Sequence, residues 1–175
     1  IVGEAEGRIA SAAEQAGIKV RSDVPPTLRI LGDRRQLVSA LFNLLDNAVK
    51  YSPEDSEIIV EAVDGPEDGV VQLFVTDSGI GVPRRDLDRI FERFYRVDRA
   101  RSRVTGGTGL GLAIVRHVAS NHGGEVLVES TEGVGSTFTL ILPRTGGRET
   151  PSGTDRPGPS GPAVHPNPPI QEHDT

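Results

Sequence analysis

The sequence predicts a two-layer α/β (α+β) sandwich, a mixed and mainly antiparallel sheet covered on one face by three helices. Three observations predict it. GDRRQLVSALFNLLDNAVKYSP, from Gly32, carries apolar residues at helical spacing. EIIVEAV and VVQLFVT are separated only by turn residues, and EVLVES and STFTLILP form a second such pair around Gly133-Val134-Gly135. Strands joined by short turns pair antiparallel, and amphipathic helices between them need a sheet face on which to bury their stripes.

Each element has a local cause. IVGEAEGRIASAAEQA, residues 1–16, reads as a helix that Gly17 stops. IKVRSDV alternates like a strand and ends at Pro25-Pro26. In the central helix Asp33 is placed to cap the N-terminus, with Gln36 completing a capping-box pattern. Its buried stripe is Leu37, Leu41, Leu44, Leu45, Ala48 and Val49, and Pro53 lies just past its end. The strands from Glu57 and Val70 follow, and Pro83 to Tyr95 reads as one or two short helices. A loop rich in Arg and Gly leads to a helix over 109–122, closed by Gly123-Gly124 before the final hairpin.

Composition bounds the rest. The 175 residues suit one core, assigned to 1–145. Residues 146–175 are dense in Pro, Gly and Ser, have almost nothing to bury, and are expected to be a disordered tail. The chain lacks Cys, which excludes disulfides and thiolate metal sites. No apolar run approaches roughly 20 residues and no signal peptide opens the chain, so a cytoplasmic setting without membrane contact is expected. A net charge of −6 argues against nucleic-acid binding.

Three motifs stand apart from the core pattern. Asn43, Asn47, Lys50 and Tyr51 form one stripe of the central helix, away from the leucines. Amide oxygens suit Mg²⁺ and a lysine suits phosphate, although a solvated polar face has the same spacing. In VTDSGIG, Asp77 continues the core-facing alternation of Val71, Leu73 and Val75. A carboxylate there needs a donor, which an adenine amine supplies and an Asx-turn supplies equally well. GGTGLGLAIV lacks the Walker Gly-Lys-Ser/Thr and the dinucleotide spacing, yet its glycines open a helix whose free N–H groups attract phosphate. A flexible linker is the plain alternative. Between these motifs Arg93, Arg96, Arg99, Arg101 and Arg103 suit either a solvated loop or a mobile lid over a triphosphate.

Taken together, the motifs resemble the catalytic ATP-binding domain of bacterial two-component sensor histidine kinases. NLLDNAVKY is similar to their Asn box, DSGIG to the first Gly box, FERFYR to the Phe box, GGTGLGLAI to the second Gly box and GVGSTF to the last. All five occur in the family's order across residues 43–138. The resemblance implies the Bergerat ATP-binding fold, Mg²⁺ and ATP. It makes Asn47 the main Mg²⁺ ligand and Asn43 a second contact to metal or water. It directs Lys50 to the phosphates, Tyr51 to the nucleoside and Asp77 to the adenine amine, with Gly79, Ile80 and Gly81 lining that pocket. Phe91 and Phe94 would hold the lid and Arg96 would join the nucleotide contacts. Gly107, Thr108, Gly109, Leu110 and Gly111 would bracket the phosphates, and Thr137 would back the adenine site.

One family feature is missing. None of His117, His122, His165 and His173 has the acidic residue and proline that flank a phospho-accepting histidine in these kinases. The resemblance therefore implies a catalytic domain from a larger kinase, whose partners are its own dimerisation and phosphotransfer domain and a response regulator. The full-length protein would then be anchored in the inner membrane. A stand-alone ATPase, an anti-sigma-type serine kinase and a nucleotide-sensing module are the rival readings. Asn43 weakens the first, because a hydrolytic relative would carry Glu at that position.

Overall fold

The computed structural model describes residues 1–66, 69–97 and 107–144. The tail expected over 146–175 and Arg99, Arg101 and Arg103 lie outside the described residues. In chain order the elements are α1 (Val2–Gln15), β1 (Lys19–Asp23), α2 (Arg34–Tyr51), β2 (Glu57–Asp64), β3 (Val70–Asp77), α3 (Gly111–Asn121), β4 (Glu125–Thr131) and β5 (Gly135–Pro143). The strands form one sheet in the order β1-β2-β3-β5-β4. Helix α2 carries the chain back along the sheet, so β1 and β2 pair parallel, and the hairpin-type connections make every other pair antiparallel.

Strand alternation divides the sheet into two faces. Ile58, Val60, Ala62, Val71, Leu73, Val75, Phe138, Leu140 and Leu142 are buried on the helix side. Against them lie Leu37, Leu41, Leu44 and Leu45 of α2, all with 1% exposure or less. Truncating one of these leucines to alanine costs about 2–5 kcal/mol in comparable cores, so the rotation of α2 about its axis is firmly set. Helix α1 buries Ala5, Ile9 and Ala13 and packs on α2, which also packs on α3.

Two local expectations need correction. The capping box at α2 is half made. Asp33 Oδ1 accepts from the N–H groups of Arg35 and Gln36 at 2.8 and 3.0 Å. The reciprocal bond expected from Gln36 is replaced, because the Asp33 N–H donates to His122 Nε2 at 2.9 Å. The stretch Pro83–Tyr95 holds one 3₁₀ turn, Arg84–Asp86, followed by non-helical turns. The buried Asp86 carboxylate accepts from the Tyr95 hydroxyl at 2.7 Å, which folds the segment back on itself.

Candidate functional site

The apolar helix-side face of the sheet ends in a polar row. Val75, Phe138 and Val128 lie side by side on β3, β5 and β4, and one step along the same face come Asp77, Ser136 and Ser130. Asp77 Oδ1 accepts from the Gly79 N–H at 2.8 Å, so the Asx-turn weighed from the sequence is present. Burial raises the Asp77 carboxyl pKa, and the backbone N–H groups of Gly79 and Ser136 offset part of that rise. The carboxylate thus sits at the end of the central strand with acceptor capacity remaining.

The Gly turn after Asp77 is locked into the β4–β5 turn. Gly133 N–H donates to Ile80 O at 2.8 Å, and Val82 N–H donates to Ser130 Oγ at 2.8 Å. Gly81 has φ +66°, and a Cβ on it would lie 2.1 Å from the Thr131 carbonyl oxygen, so no side chain fits there. Ile80 N–H donates to Tyr51 O at 3.1 Å, which ties the same turn to the end of α2. The Ile80 side chain is exposed. Thr137, expected behind the adenine site, lies on the opposite face of the sheet, where its hydroxyl meets that of Thr76 at 3.1 Å. Strand period 2 puts Ser136, one residue back, on the face of Asp77.

Helix α2 joins this turn to the start of α3. Asn43 Nδ2 donates to Ser39 O at 2.8 Å, which fixes the amide and leaves Oδ1 as an acceptor. That oxygen faces Gly111, the first residue of α3, and would stand 3.0 Å from a Cβ there. Asn47, one turn on, is half-buried and its side chain makes no hydrogen bond among the described residues. Lys50 forms an ion pair with Asp46, a partner the motif reading missed although i,i+4 spacing signals it. Tyr51 is half-buried at the far end. Helix α3 has Leu110 at its N-cap and, among the described residues, no side-chain cap, which leaves its first N–H groups at the positive end of the helix without a capping side chain there. Gly107, Thr108 and Gly109 lead into it, with Thr108 exposed.

The two phenylalanines of the aromatic segment sit in different surroundings. Phe91 packs edge-on against Phe138, with centroids 6.4 Å apart, and the Arg116 guanidinium lies 5.8 Å from its ring. Phe94 is 71% exposed with φ 64°, so its ring is not packed in the core. Its backbone N–H instead donates to Gly109 O at 2.9 Å, joining this segment to the loop before α3. Arg96 is half-buried, and one of its guanidinium nitrogens lies 3.9 Å from where a Gly107 Cβ would stand. The Asp86 bond raises the Tyr95 phenol pKa, and Arg89 stacks 4.2 Å above that ring. Ser130 carries no motif signature, and only the fold brings it to the polar row.

Comparison with known proteins follows this geometry. The family described as histidine kinase-, DNA gyrase B-, and HSP90-like ATPase matches residues 32–146. The chain is 53% identical over 143 residues to the sensor-like histidine kinase SenX3 of Mycobacterium tuberculosis, covering 82% of this chain and 34% of that protein. It is 46% identical over 121 residues to the phosphate regulon sensor protein PhoR of Pseudomonas aeruginosa, 69% of this chain and 27% of that protein. Among solved structures, the mycobacterial sensor histidine kinase MprB matches with a TM-score of 0.69 at 30% identity, over 82% of this chain and 93% of that one. Full-length ShkA in complex with AMPPNP matches with a TM-score of 0.68 at 33% identity, over 81% and 28%. The chain spans about a third of the length of the curated relatives it matches.

Proposed function

The chain belongs to the histidine kinase-, DNA gyrase B-, and HSP90-like ATPase family, and we propose that it is the part of a sensor histidine kinase that binds Mg²⁺-ATP and phosphorylates a histidine on a separate domain. The observation that carries this reading is the course of α2. Asn43 lies against the uncapped start of α3, and Tyr51 lies against the Gly turn that follows Asp77. The eight-residue step between them is about 12 Å of helix axis, so one helix reaches both a phosphate site and a base site.

The residues fit the metal. Asn43 Oδ1 and the unbonded Asn47 amide are hard oxygen donors on one helix face, next to N–H groups that attract phosphate. Bound Mg²⁺ would neutralise phosphate charge and hold the chain of phosphates in line for transfer. Asn47 and Asn43 would hold it, and Lys50 would turn from Asp46 towards the phosphates. Asp77 would accept from the adenine amine, within the pocket formed by Gly79, Ile80 and Gly81. Gly107 to Gly111 would surround the phosphates, and Arg96 would approach them from the lid side. An imidazole nitrogen of the acceptor then forms a bond to the γ-phosphorus as the bond to the bridging oxygen breaks and ADP leaves.

None of the four histidines has the acidic residue and proline that flank a phospho-accepting one, so the acceptor is placed elsewhere. His122 is bonded at both ring nitrogens, to Asp33 N–H and Val118 O, and the His117 ring bonds Asn121. In the full protein we place that acceptor on a dimerisation and phosphotransfer domain, with a response regulator receiving the phosphoryl group next. We likewise place the domain in the cytoplasm with a membrane anchor elsewhere in the protein. Among the described residues no helix is long and apolar enough to cross a membrane.

The test is incubation with γ-labelled ATP. The chain alone should take up no acid-labile phosphate, and it should label an added histidine-bearing hairpin at a rate that rises with hairpin concentration. Asn47→Ala should abolish that labelling while leaving adenosine binding nearly intact. Label on the chain itself, or label that survives acid, would refute the assignment.

A further inference from the structure

We propose that Ser130 is a positioning residue that sets base specificity, by holding the hydroxyl proton of Ser136 away from the base end of the site. The proposal rests on the nucleotide reading above and adds to it a residue that touches no ligand. Ser130 Oγ has three neighbours: Val82 N at 2.8 Å, Gly135 O at 2.9 Å and Ser136 Oγ at 3.0 Å. A hydroxyl has one proton and two lone pairs, so the three contacts use its whole capacity. The Gly135 carbonyl can only accept, which commits the Ser130 proton to it. The Val82 N–H can only donate, which occupies one lone pair. The remaining lone pair can only accept the proton of Ser136. Any other assignment leaves Ser130 Oγ and Gly135 O as two acceptors 2.9 Å apart with no proton between them.

The polarity of Ser136 follows. Its proton is spent on Ser130, so its hydroxyl has only lone pairs left to offer. Ser136 is 7% exposed and is the direct cross-strand neighbour of Asp77 on the same face. The base end of the row therefore presents a carboxylate and a hydroxyl oxygen, both as acceptors. A base edge bearing an amine is matched by that pair. A base edge bearing a carbonyl at the same place meets acceptor against acceptor, a mismatch that buried polar sites reject strongly. Without the Ser130 hydroxyl, the Ser136 proton is free to turn towards the base. A carbonyl edge then finds a donor.

The experiment measures ADP and GDP affinity by calorimetry, with Mg²⁺, on the whole chain and on Ser130→Ala, Ser130→Thr and Ser130→Cys. The ratio of the two affinities should fall about tenfold in Ser130→Ala, and Ser130→Thr, which keeps the hydroxyl, should restore it. Thermal unfolding of each sample reports whether the fold is kept. If Ser130→Ala does not fold, Ser130→Cys, nearly the same size with a weak donor, should show the same direction of change. A parallel loss of both affinities with an unchanged ratio overturns the proposal, since that is what a merely structural hydroxyl would produce. Failure of Ser130→Thr to restore the ratio overturns it equally. A wild-type chain that binds neither nucleotide instead overturns the nucleotide site on which the proposal stands.

Discussion

Burial raises the Asp77 carboxyl pKa while two backbone N–H groups pull it back only in part. The folded state therefore holds this proton to higher pH than the unfolded chain, and stability declines as pH rises through the window just above 3.8. On the proposed reading ligand binding would work in the opposite sense, because an amine donor would select the ionised carboxylate. Adenosine should bind more weakly as pH falls into that window, with proton release on binding there. Calorimetry in buffers of different ionisation enthalpy measures both, and an affinity that is flat from neutral pH downwards would contradict the role of Asp77. The two phenylalanines make a second contrast at this scale. Phe91→Ala removes a ring packed on Phe138 and should cost about 2–3 kcal/mol in urea unfolding. Phe94→Gly removes an exposed ring from a left-handed backbone and should change stability by less than about 1 kcal/mol, because relief of strain offsets added chain entropy. Equal losses would return Phe94 to the anchoring role expected from the sequence. A motif names residue types and carries no information on which ring faces the core.

Helices α2 and α3 are coupled through one histidine. His122 Nδ1–H donates to Val118 O at 2.7 Å and Nε2 accepts from Asp33 N–H at 2.9 Å, so a single neutral tautomer joins the end of α3 to the cap of α2. His122→Ala should destabilise the chain by about 1 kcal/mol and speed hydrogen exchange in the first turn of α2. Unchanged exchange there would show that the bond holds nothing. Asp33 adds a pH signature. The Gln36 N–H, first among several causes, holds its carboxyl below the ordinary value. The stability this contributes is present above 3.8 and is lost as pH falls through the lower folded value. Asp33→Asn keeps a cap acceptor and should flatten that acid limb in unfolding followed at several pH values. The leucine stripe of α2 and its Asp33 cap were legible because both are local periodicities. The His122 partner was not, since 89 residues separate it from Asp33. Thr137 lies across the sheet from Asp77, and in a strand one residue is the whole difference between two faces.

Across the whole molecule, the fold class was legible because every element announces itself within a dozen residues. The strand order was not, since nothing local places β5 between β3 and β4. The site divides the same way. Asn43, Asn47, Lys50, Asp77 and the Gly turns stand out as odd residues in regular patterns. Ser130 and Ser136 do not, because their partners are brought near only by the sheet register. The position of β5 also governs how the molecule can be made. Chains emerge from the ribosome amino end first, and β5 is both the last strand to appear and the one that pairs β3 with β4. Until it appears, β4 has no partner, Asp77 lacks the Ser136 N–H, and the turn beyond Gly81 has no hairpin to lock against. Nucleotide in the cell therefore cannot help the early segments to fold and can act only as a final latch. Ribosome-stalled chains ending before Gly135 should retain no adenosine, whereas chains with Arg144 clear of the exit tunnel should retain it.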